Sequence, residues 1–196
     1  DYVDLFLIHW PLPTLYGGDF VSTWRTLGEF VADGRATSVG VSNFQPAHLD
    51  RIVEETGLVP VVNQIEVHPY VRQSALLNRN NELGIVSQAW SPIGGITFYR
   101  DSGHTSTLEN ETIRSIADAH GKTPAQVMLG WHLQQGRQVI PKSVTPARIA
   151  ENFDVFDIEL SETELAAIDG LDTGKRGGPE PEDITLESFG REIPEA

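Results

Sequence analysis

Short apolar runs alternate along the chain with segments in which apolar residues recur at every third or fourth position, the spacing of an amphipathic helix. The first run, Val3–His9 (VDLFLIH), is almost continuously apolar, as expected of a parallel strand buried on both faces. Later runs predict four more strands: Ser38–Ser42, Val61–Val67, Ile85–Trp90 and a short strand ending at Val139 and Ile140.

Helices are predicted between and after these strands. The first has apolar residues at helical spacing followed by a glycine: Phe20, Val21, Trp24, Leu27 and Val31, then Gly34. A second begins near Pro46 and ends at Gly57, and a third lies around Ala75–Leu83. A fourth is expected around Glu111–His120, and capping-box sequences that begin at Thr123 and Ser161 open two more.

Regular alternation of strands and helices predicts parallel βαβ units, which close either as an open doubly wound sheet or as a (β/α)8 barrel. No GxGxxG sequence follows the first strand, which argues against a doubly wound dinucleotide-binding sheet. Polar residues stand instead at the carboxyl ends of nearly all the strands, where the active sites of barrels lie. The fold class predicted is therefore α/β, a (β/α)8 TIM barrel.

Five units are visible, whereas a complete barrel typically needs about 250 residues. We therefore expect the chain to represent the last five β/α units, with N-terminal strands missing. Residues 1–172 are expected to form this part of the barrel, and residues 173–196 a C-terminal tail over its mouth. The tail and the Ser91–Thr107 loop, with Phe98, Tyr99 and His104, would shape the substrate pocket, so the sequence does not identify the substrate.

Composition narrows the classes of partner. The 196 residues are 39% hydrophobic and carry a net charge of −14, which argues against nucleic acid and anionic membranes. There is no apolar run long enough to span a membrane and no cysteine, which fits a cytoplasmic protein. The six histidines lack HExxH or paired-ligand spacing, so no metal site is expected.

The segment Val139–Phe156 (VIPKSVTPARIAENFDVF) carries a candidate anion site. Thr145 is expected to be a helix N-cap with a proline after it, and the first turn contains Arg148 but no acid. An external anion held by backbone N–H groups, Lys142, Ser143 and Arg148 would explain this pattern. Arg148, Glu151 and Asn152 would share one helix face, which suits a purine beside a phosphate. The alternative is an ordinary exposed helix start that is basic.

Five segments in register closely resemble the aldo-keto reductases: Asp4–Pro11 (DLFLIHWP), Gly40–Phe44 (GVSNF), Val62–Tyr70 (VNQIEVHPY), Ala89–Gly94 (AWSPIG) and Ile140–Phe156. The resemblance extends to about Asp172 and implies a monomeric, NADPH-dependent carbonyl reductase on a (β/α)8 barrel. Trp90 before Ser-Pro is more similar to the bacterial 2,5-diketo-D-gluconate reductase type than to aldose reductase, which has tyrosine there.

The resemblance assigns roles around the reacting carbonyl. His9 would be catalytic, orienting the substrate carbonyl through a hydrogen bond, and Trp10 would line the substrate pocket. Ser42, Asn43 and Gln64 would bind the nicotinamide carboxamide, and Trp90 would stack on the nicotinamide ring. Ordinary structural roles remain open: a strand-end histidine, caps for backbone groups, and aromatic side chains that cover the core.

The resemblance also assigns the rest of the NADPH or NADP site. Ser91 and Ile93 would follow the pyrophosphate, and Asn152 would bind the adenine amino group. The 2′-phosphate would be held by a larger set: Lys142, Ser143, Val144, Thr145 and Arg148. Two cations at that phosphate favour NADP over NAD. Glu66 and His68 are interpreted as residues that order loops, and Glu151 as a partner of Arg148 or of adenine.

Of the aspartate, tyrosine, lysine and histidine that the family uses, only the histidine is matched; Tyr2, Tyr16, Tyr70 and Tyr99 do not match the proton donor. The expectation is that the parent protein reduces aldehydes or ketones and that this segment alone barely does so. The alternative is a barrel that binds NADPH without turnover. A metal-dependent hydrolase is disfavoured, because strand ends lack His or acid pairs.

Overall fold

The computed structural model describes residues 1–94, 106–185 and 187. Its strands are β1 Val3–Ile8, β2 Ala36–Ser42, β3 Val62–Glu66, β4 Val86–Trp90 and β5 Gln138–Val139. Its α-helices are α1 Phe20–Ala32, α2 Pro46–Thr56, α3 Ser74–Glu82, α4 Glu111–His120, α5 Pro124–Gln134, α6 Pro146–Phe153 and α7 Glu162–Asp169. Short 3₁₀ turns lie at Tyr16–Gly18, Thr107–Glu109 and Pro181–Asp183. The loop residues Phe98, Tyr99 and His104 lie outside the described residues.

The helix boundaries follow the signals in the sequence. Thr123 and Ser161 each form the predicted capping box, in which the side chain three residues on bonds back to the cap. Gly57 ends α2 with φ 70°, a left-handed conformation that suits glycine. The helix predicted at Glu111–His120 is confirmed, with Asn110 as its N-cap. No helix within the described parts of the chain is long and apolar enough to cross a membrane.

All five strands are parallel and pair in chain order, β1-β2-β3-β4-β5. Successive side chains point to opposite faces of the sheet. Asn63 therefore faces α3, where its Nδ2 donates to Asn80 Oδ1 at 3.3 Å, whereas the neighbouring Gln64 faces the other way and bonds to Gln88. This is the arrangement of consecutive β/α units in a barrel, with one face toward the helices and the other toward the barrel interior.

The main core lies among the sheet and the helices packed on it. Its largest fully buried side chains come from several elements and include Trp24, Phe44, Ile52, Ile65, Met128 and Trp131. Two of these rings also bond to polar partners: Trp24 Nε1 donates to Leu58 O at 3.0 Å, and Trp131 Nε1 to Asp169 Oδ1 at 2.9 Å. Burial of such rings provides much of the apolar stabilisation available to a domain of this size.

The apolar run of β1 predicts burial on both faces, whereas the count of only five units predicts an open apolar flank on this strand, and the structure shows the open flank. Val3, Leu5 and Phe6 are 46%, 38% and 43% exposed, because β1 pairs with β2 alone and is an edge strand of the described sheet. Phe6 packs on Phe30 of α1 at a ring distance of 5.9 Å, so the helix covers it only in part. The strand thus presents an open apolar edge, which can pair with another chain.

Replacing Leu5 with lysine should reduce self-association of the chain, since a charged edge strand resists pairing. Sedimentation velocity at increasing concentration should show a lower average mass for Leu5→Lys than for the unsubstituted chain. Val59→Lys is the matched control, because Val59 is 39% exposed but lies in a loop. Equal masses for the three proteins would contradict the assignment of β1 as the associating edge.

Glu164 joins the first turn of α7 to α4. It accepts hydrogen bonds from Ser161 N at 2.8 Å and Ser161 Oγ at 2.7 Å, and its other oxygen lies 2.9 Å from His120 Nε2 of α4. The bonds from Ser161, with a smaller contribution from His120, lower the pKa of Glu164 to about 2. A carboxyl with a lowered pKa stabilises the fold above its unfolded-state pKa, and this stabilisation is lost as the pH falls toward 2.

Glu164→Gln should therefore lower the free energy of unfolding at pH 7 by roughly 1–2 kcal/mol, allowing for the partial exposure of the carboxylate. The difference from the unsubstituted chain should shrink as the pH falls below 4.5, where the carboxyl protonates in the unfolded chain. Urea denaturation at pH 7 and pH 3 measures both values. Glu162→Gln, in the same helix turn, is the control, and a difference independent of pH would contradict the assignment.

Candidate cofactor and substrate site

The parallel sheet brings the predicted nicotinamide and substrate residues together at the carboxyl ends of its strands. His9 directly follows β1, Ser42 ends β2, and Trp90 ends β4. Ser42 is in register with Gln64, and Glu66 with Trp90, so these side chains lie at neighbouring strand ends. His9 is exposed and its ring lies 5.7 Å from that of Trp10, which is half-buried.

Asn43 joins three strand ends. Its Nδ2 donates to His9 O at 3.1 Å and to Ser42 Oγ at 3.2 Å, and its Oδ1 accepts from Trp90 Nε1 at 2.9 Å. Its backbone N–H donates to Gln64 O at 3.0 Å, and Ser42 Oγ donates to the same oxygen at 2.7 Å. The residue has φ 61°, a left-handed conformation that asparagine tolerates better than most residues. The Asn43 knot, as we call these five residues and their bonds, is buried at its centre.

A row of glutamines crosses the interior face beneath the knot. Gln64, Gln88 and Gln138 are aligned by register; Gln64 Nε2 donates to Gln88 Oε1 at 2.5 Å, and Gln88 Nε2 to Gln138 Oε1 at 3.1 Å. Sequence reasoning identified only Gln64 of these three. The available signal was position, since Gln64 lies three residues and Gln88 two residues before the end of a predicted strand.

The tail reaches the site through Glu66. Both carboxylate oxygens accept from the Gly178 N–H, one of them also accepts from Gly177 N, and Arg176 Nε lies 3.7 Å away. A Cβ atom built on Gly178 would lie 2.5 Å from the Trp90 ring, so the tail backbone passes directly against this ring. Trp90 thus contacts Asn43 through its Nε1 and the tail through the far end of its ring. The interpretation of Glu66 as a residue that orders a loop agrees with these contacts.

The Ser91–Gly94 loop makes a tight turn after β4. Ser91 has φ 48°, and Gly94 N donates to Ser91 O at 2.8 Å. Its next two carbonyls bond to residues distant in sequence: Pro92 O lies 3.0 Å from His132 Nε2, and Ile93 O accepts from Thr107 Oγ1. Ser91 and Ile93 are half-buried. Neither His132 nor Thr107 was identified from the sequence.

The predicted phosphate residues lie at the other end of the site, after β5. Thr145 is the N-cap of α6 and Pro146 follows it, as predicted, but the Thr145 side chain makes no capping hydrogen bond. The backbone N–H of Thr145 donates a hydrogen bond to Ser143 Oγ at 3.2 Å. Val144 is 79% exposed, and the Arg148 side chain is also exposed. The Thr145 side chain therefore bonds none of the free backbone N–H groups in the first turn of α6.

A cleft of about 440 Å³ lies between the segment that follows β5 and the side of α6. It is lined by Pro141, Lys142, Ser143, Ile149, Asn152 and Phe153. Glu151 Oε1 accepts from Thr123 Oγ1 at 2.7 Å, which ties α6 to the start of α5. The role of Glu151 at Arg148 or adenine stays a prediction. The cleft combines a cation, a hydroxyl and an amide with three apolar side chains.

The side chains at this site can bind a ligand through positive charge, through amide hydrogen bonds and through aromatic faces. Within residues 1–94, 106–185 and 187, no three His, Asp or Glu side chains are grouped so that they could hold a metal ion. The described units and the polar mouth define part of a (β/α)8 barrel.

The family follows from comparison with known proteins. The model of the aldo/keto reductase family matches residues 1–173. The chain is 51% identical over 181 residues to an aldo-keto reductase of Mycolicibacterium smegmatis, covering 92% of this chain and 62% of that protein. It is 46% identical over 182 residues to methylglyoxal reductase DkgA of Escherichia coli K12, covering 93% and 63%. The chain therefore belongs to the aldo/keto reductase family, and the resemblance to its bacterial members is confirmed.

The fold is confirmed as well. The crystal structure of a Gox0644 mutant in complex with NADPH matches with a TM-score of 0.84 at 45% identity, over 94% of this chain and 64% of that one. The chain spans about 62–64% of the length of these three proteins. It carries five β/α units of the predicted (β/α)8 barrel.

Gly178→Ala should destabilise the protein by roughly 1–3 kcal/mol, because the added methyl group overlaps the Trp90 ring. Gly170→Ala is the matched control, since its Cβ would meet only backbone oxygens, the nearer at 3.4 Å, and neither glycine has a left-handed φ. Denaturant unfolding of both variants measures the difference. Equal stability of the two variants would show that the tail does not pack on Trp90.

Proposed function

We propose that this chain carries the NADPH site of an aldo/keto reductase and that the whole protein reduces an aldehyde or ketone to an alcohol. The observation that supports this most directly is the cleft beside α6, where Lys142 and Ser143 stand next to a helix N-terminus without a side-chain cap from Thr145. Backbone N–H groups at such an end bind phosphate, and the positive helix terminus favours the anion.

In this proposal the adenosine half of the cofactor lies on α6. Lys142, Ser143 and the backbone around Thr145 hold the 2′-phosphate, and Arg148, close along the same turn, supplies a second cation. Val144 contributes its backbone, since its side chain is largely exposed. Asn152 bonds the adenine amino group, while Ile149 and Phe153 offer apolar contact in the same cleft. The two cations explain a preference for NADPH over NADH.

The nicotinamide half lies on the Asn43 knot. The Trp90 ring is fixed by its bond to Asn43 and offers a flat face for the nicotinamide. The Asn43 amide oxygen has two lone pairs, of which Trp90 takes one, so a second donor can bind there. Ser42 and Gln64 complete the carboxamide site, and Ser91 and Ile93 follow the pyrophosphate between the two halves.

His9 is the residue of this chain that acts on the substrate. It is exposed at the mouth next to Trp10, so a ring N–H can bond the substrate carbonyl oxygen and orient it, with Trp10 as an apolar wall. Bound NADPH supplies the hydride. None of the tyrosines in the sequence matches the family's proton donor, so we propose that these 196 residues alone turn over little or no substrate. We further propose a cytoplasmic, monomeric parent protein.

Binding of NADPH without turnover is the second candidate function, and it is the one expected of these 196 residues by themselves, since none of their tyrosines matches the proton donor. The two functions predict equal NADPH affinity and differ in aldehyde-dependent oxidation of NADPH by the whole protein. Addition of an aldehyde series to the NADPH-loaded protein separates them, because only a reductase consumes NADPH in proportion to aldehyde.

Arg148→Ala and Lys142→Ala should each weaken NADPH binding by about 10–100-fold, the loss expected for one charge-assisted phosphate contact, with little effect on NADH. Fluorescence titration with both cofactors measures this. Arg114→Ala is the matched control, since Arg114 is an exposed arginine on α4. A folded, soluble chain that binds neither cofactor, or variants that lose NADH and NADPH equally, would contradict the phosphate site.

A further inference from the structure

His132 connects the interior of α5 to the Ser91–Gly94 loop. It is fully buried, and its Nε2 lies 3.0 Å from Pro92 O. Its other ring nitrogen, Nδ1, accepts from Arg137 Nε at 3.0 Å. Because an arginine N–H can only donate, Nδ1 must be the unprotonated nitrogen and Nε2 carries the hydrogen that it donates to Pro92.

Arg137 is itself fixed by several contacts. It is 6% exposed, donates to Gln135 Oε1 at 2.9 Å, and lies over the Trp131 ring at 4.3 Å. Trp131 and Gln135 both donate to Asp169 Oδ1. Burial, reinforced by the charge of Arg137, holds the pKa of His132 well below its ordinary value, which keeps the ring neutral as this bonding pattern requires.

The loop is therefore bonded from two sides. His132 bonds to Pro92 O and Thr107 to Ile93 O, so the two carbonyls are directed toward residues of the protein body. Carbonyl oxygens carry partial negative charge and would repel a pyrophosphate if they faced it, whereas N–H groups would attract it. Because both carbonyls point toward the protein body, the exposed surface of the loop repels a pyrophosphate less.

We propose that His132, locked in one tautomer by Arg137, is a positioning residue that orients the Ser91–Gly94 loop toward the pyrophosphate of the cofactor. This inference rests on the proposed NADPH site. In this proposal a buried histidine on α5 affects binding of the pyrophosphate in the middle of the cofactor. The 2′-phosphate contacts on α6 do not depend on it.

The test compares NADPH with adenosine 2′-phosphate, which carries the 2′-phosphate but no pyrophosphate. His132→Leu removes both hydrogen bonds and should weaken NADPH binding about tenfold, the loss expected when a buried carbonyl is left unpaired, with adenosine 2′-phosphate affected less than about twofold. His132→Gln retains a donor and an acceptor and should restore most of the NADPH affinity. His120→Leu is the control, because His120 bonds Glu164 away from the loop.

Hydrogen exchange gives a readout without cofactor. Amide exchange at Ile93 and Gly94 should be faster in His132→Leu than in the unsubstituted chain and slower again in His132→Gln. If the leucine variant does not fold, His132→Asn replaces it, since its amide is too short to bridge Arg137 and Pro92. An unsubstituted chain that binds neither ligand would overturn the NADPH proposal and this role together. Binding of both ligands with equal losses in His132→Leu, or unchanged exchange, would overturn the role of His132 alone.

Discussion

The hydrogen bonds of the Asn43 side chain are the interactions on which the geometry of the candidate site depends most. One amide bonds the end of β1 through His9 O, the end of β2 through Ser42, and the end of β4 through Trp90. Parallel strands bring their carboxyl ends to one edge but do not fix side chains there. Asn43 does so, and its left-handed backbone limits which residues can replace it. The aromatic ring, the histidine and the hydroxyl thus form one unit.

Much of the fold follows from local sequence signals, since helix bounds depend on caps, glycines and apolar spacing that act within a few residues. Glu111–His120 was predicted with both ends correct, and both capping boxes formed. The exposure of β1 was predictable from the number of units and not from its apolar run, because such a run indicates a strand but not how many neighbours the strand has.

The sequence predicted where the candidate-site residues lie better than it predicted their contacts with distant segments. The family resemblance placed His9, Asn43 and Trp90 at one mouth, and the structure brings them together. Contacts between distant segments left no local signal: Glu66 with the tail, and Glu151 with Thr123. Helical spacing placed Glu151 on the face of Arg148, but spacing does not identify the partner across the interface.

Helix α5 links the two halves of the site. Its residues from Gln126 to His132 are all buried, whereas α6 has no buried residue. At one end of α5, Thr123 bonds Glu151 and Gln126 Nε2 donates to Glu151 O, which secures α6; near the other end, His132 secures the loop after Trp90. An exposed eight-residue helix is marginal alone and gains its order from such packing. Helix α5 therefore contacts both α6, which flanks the proposed phosphate cleft, and the loop that follows Trp90.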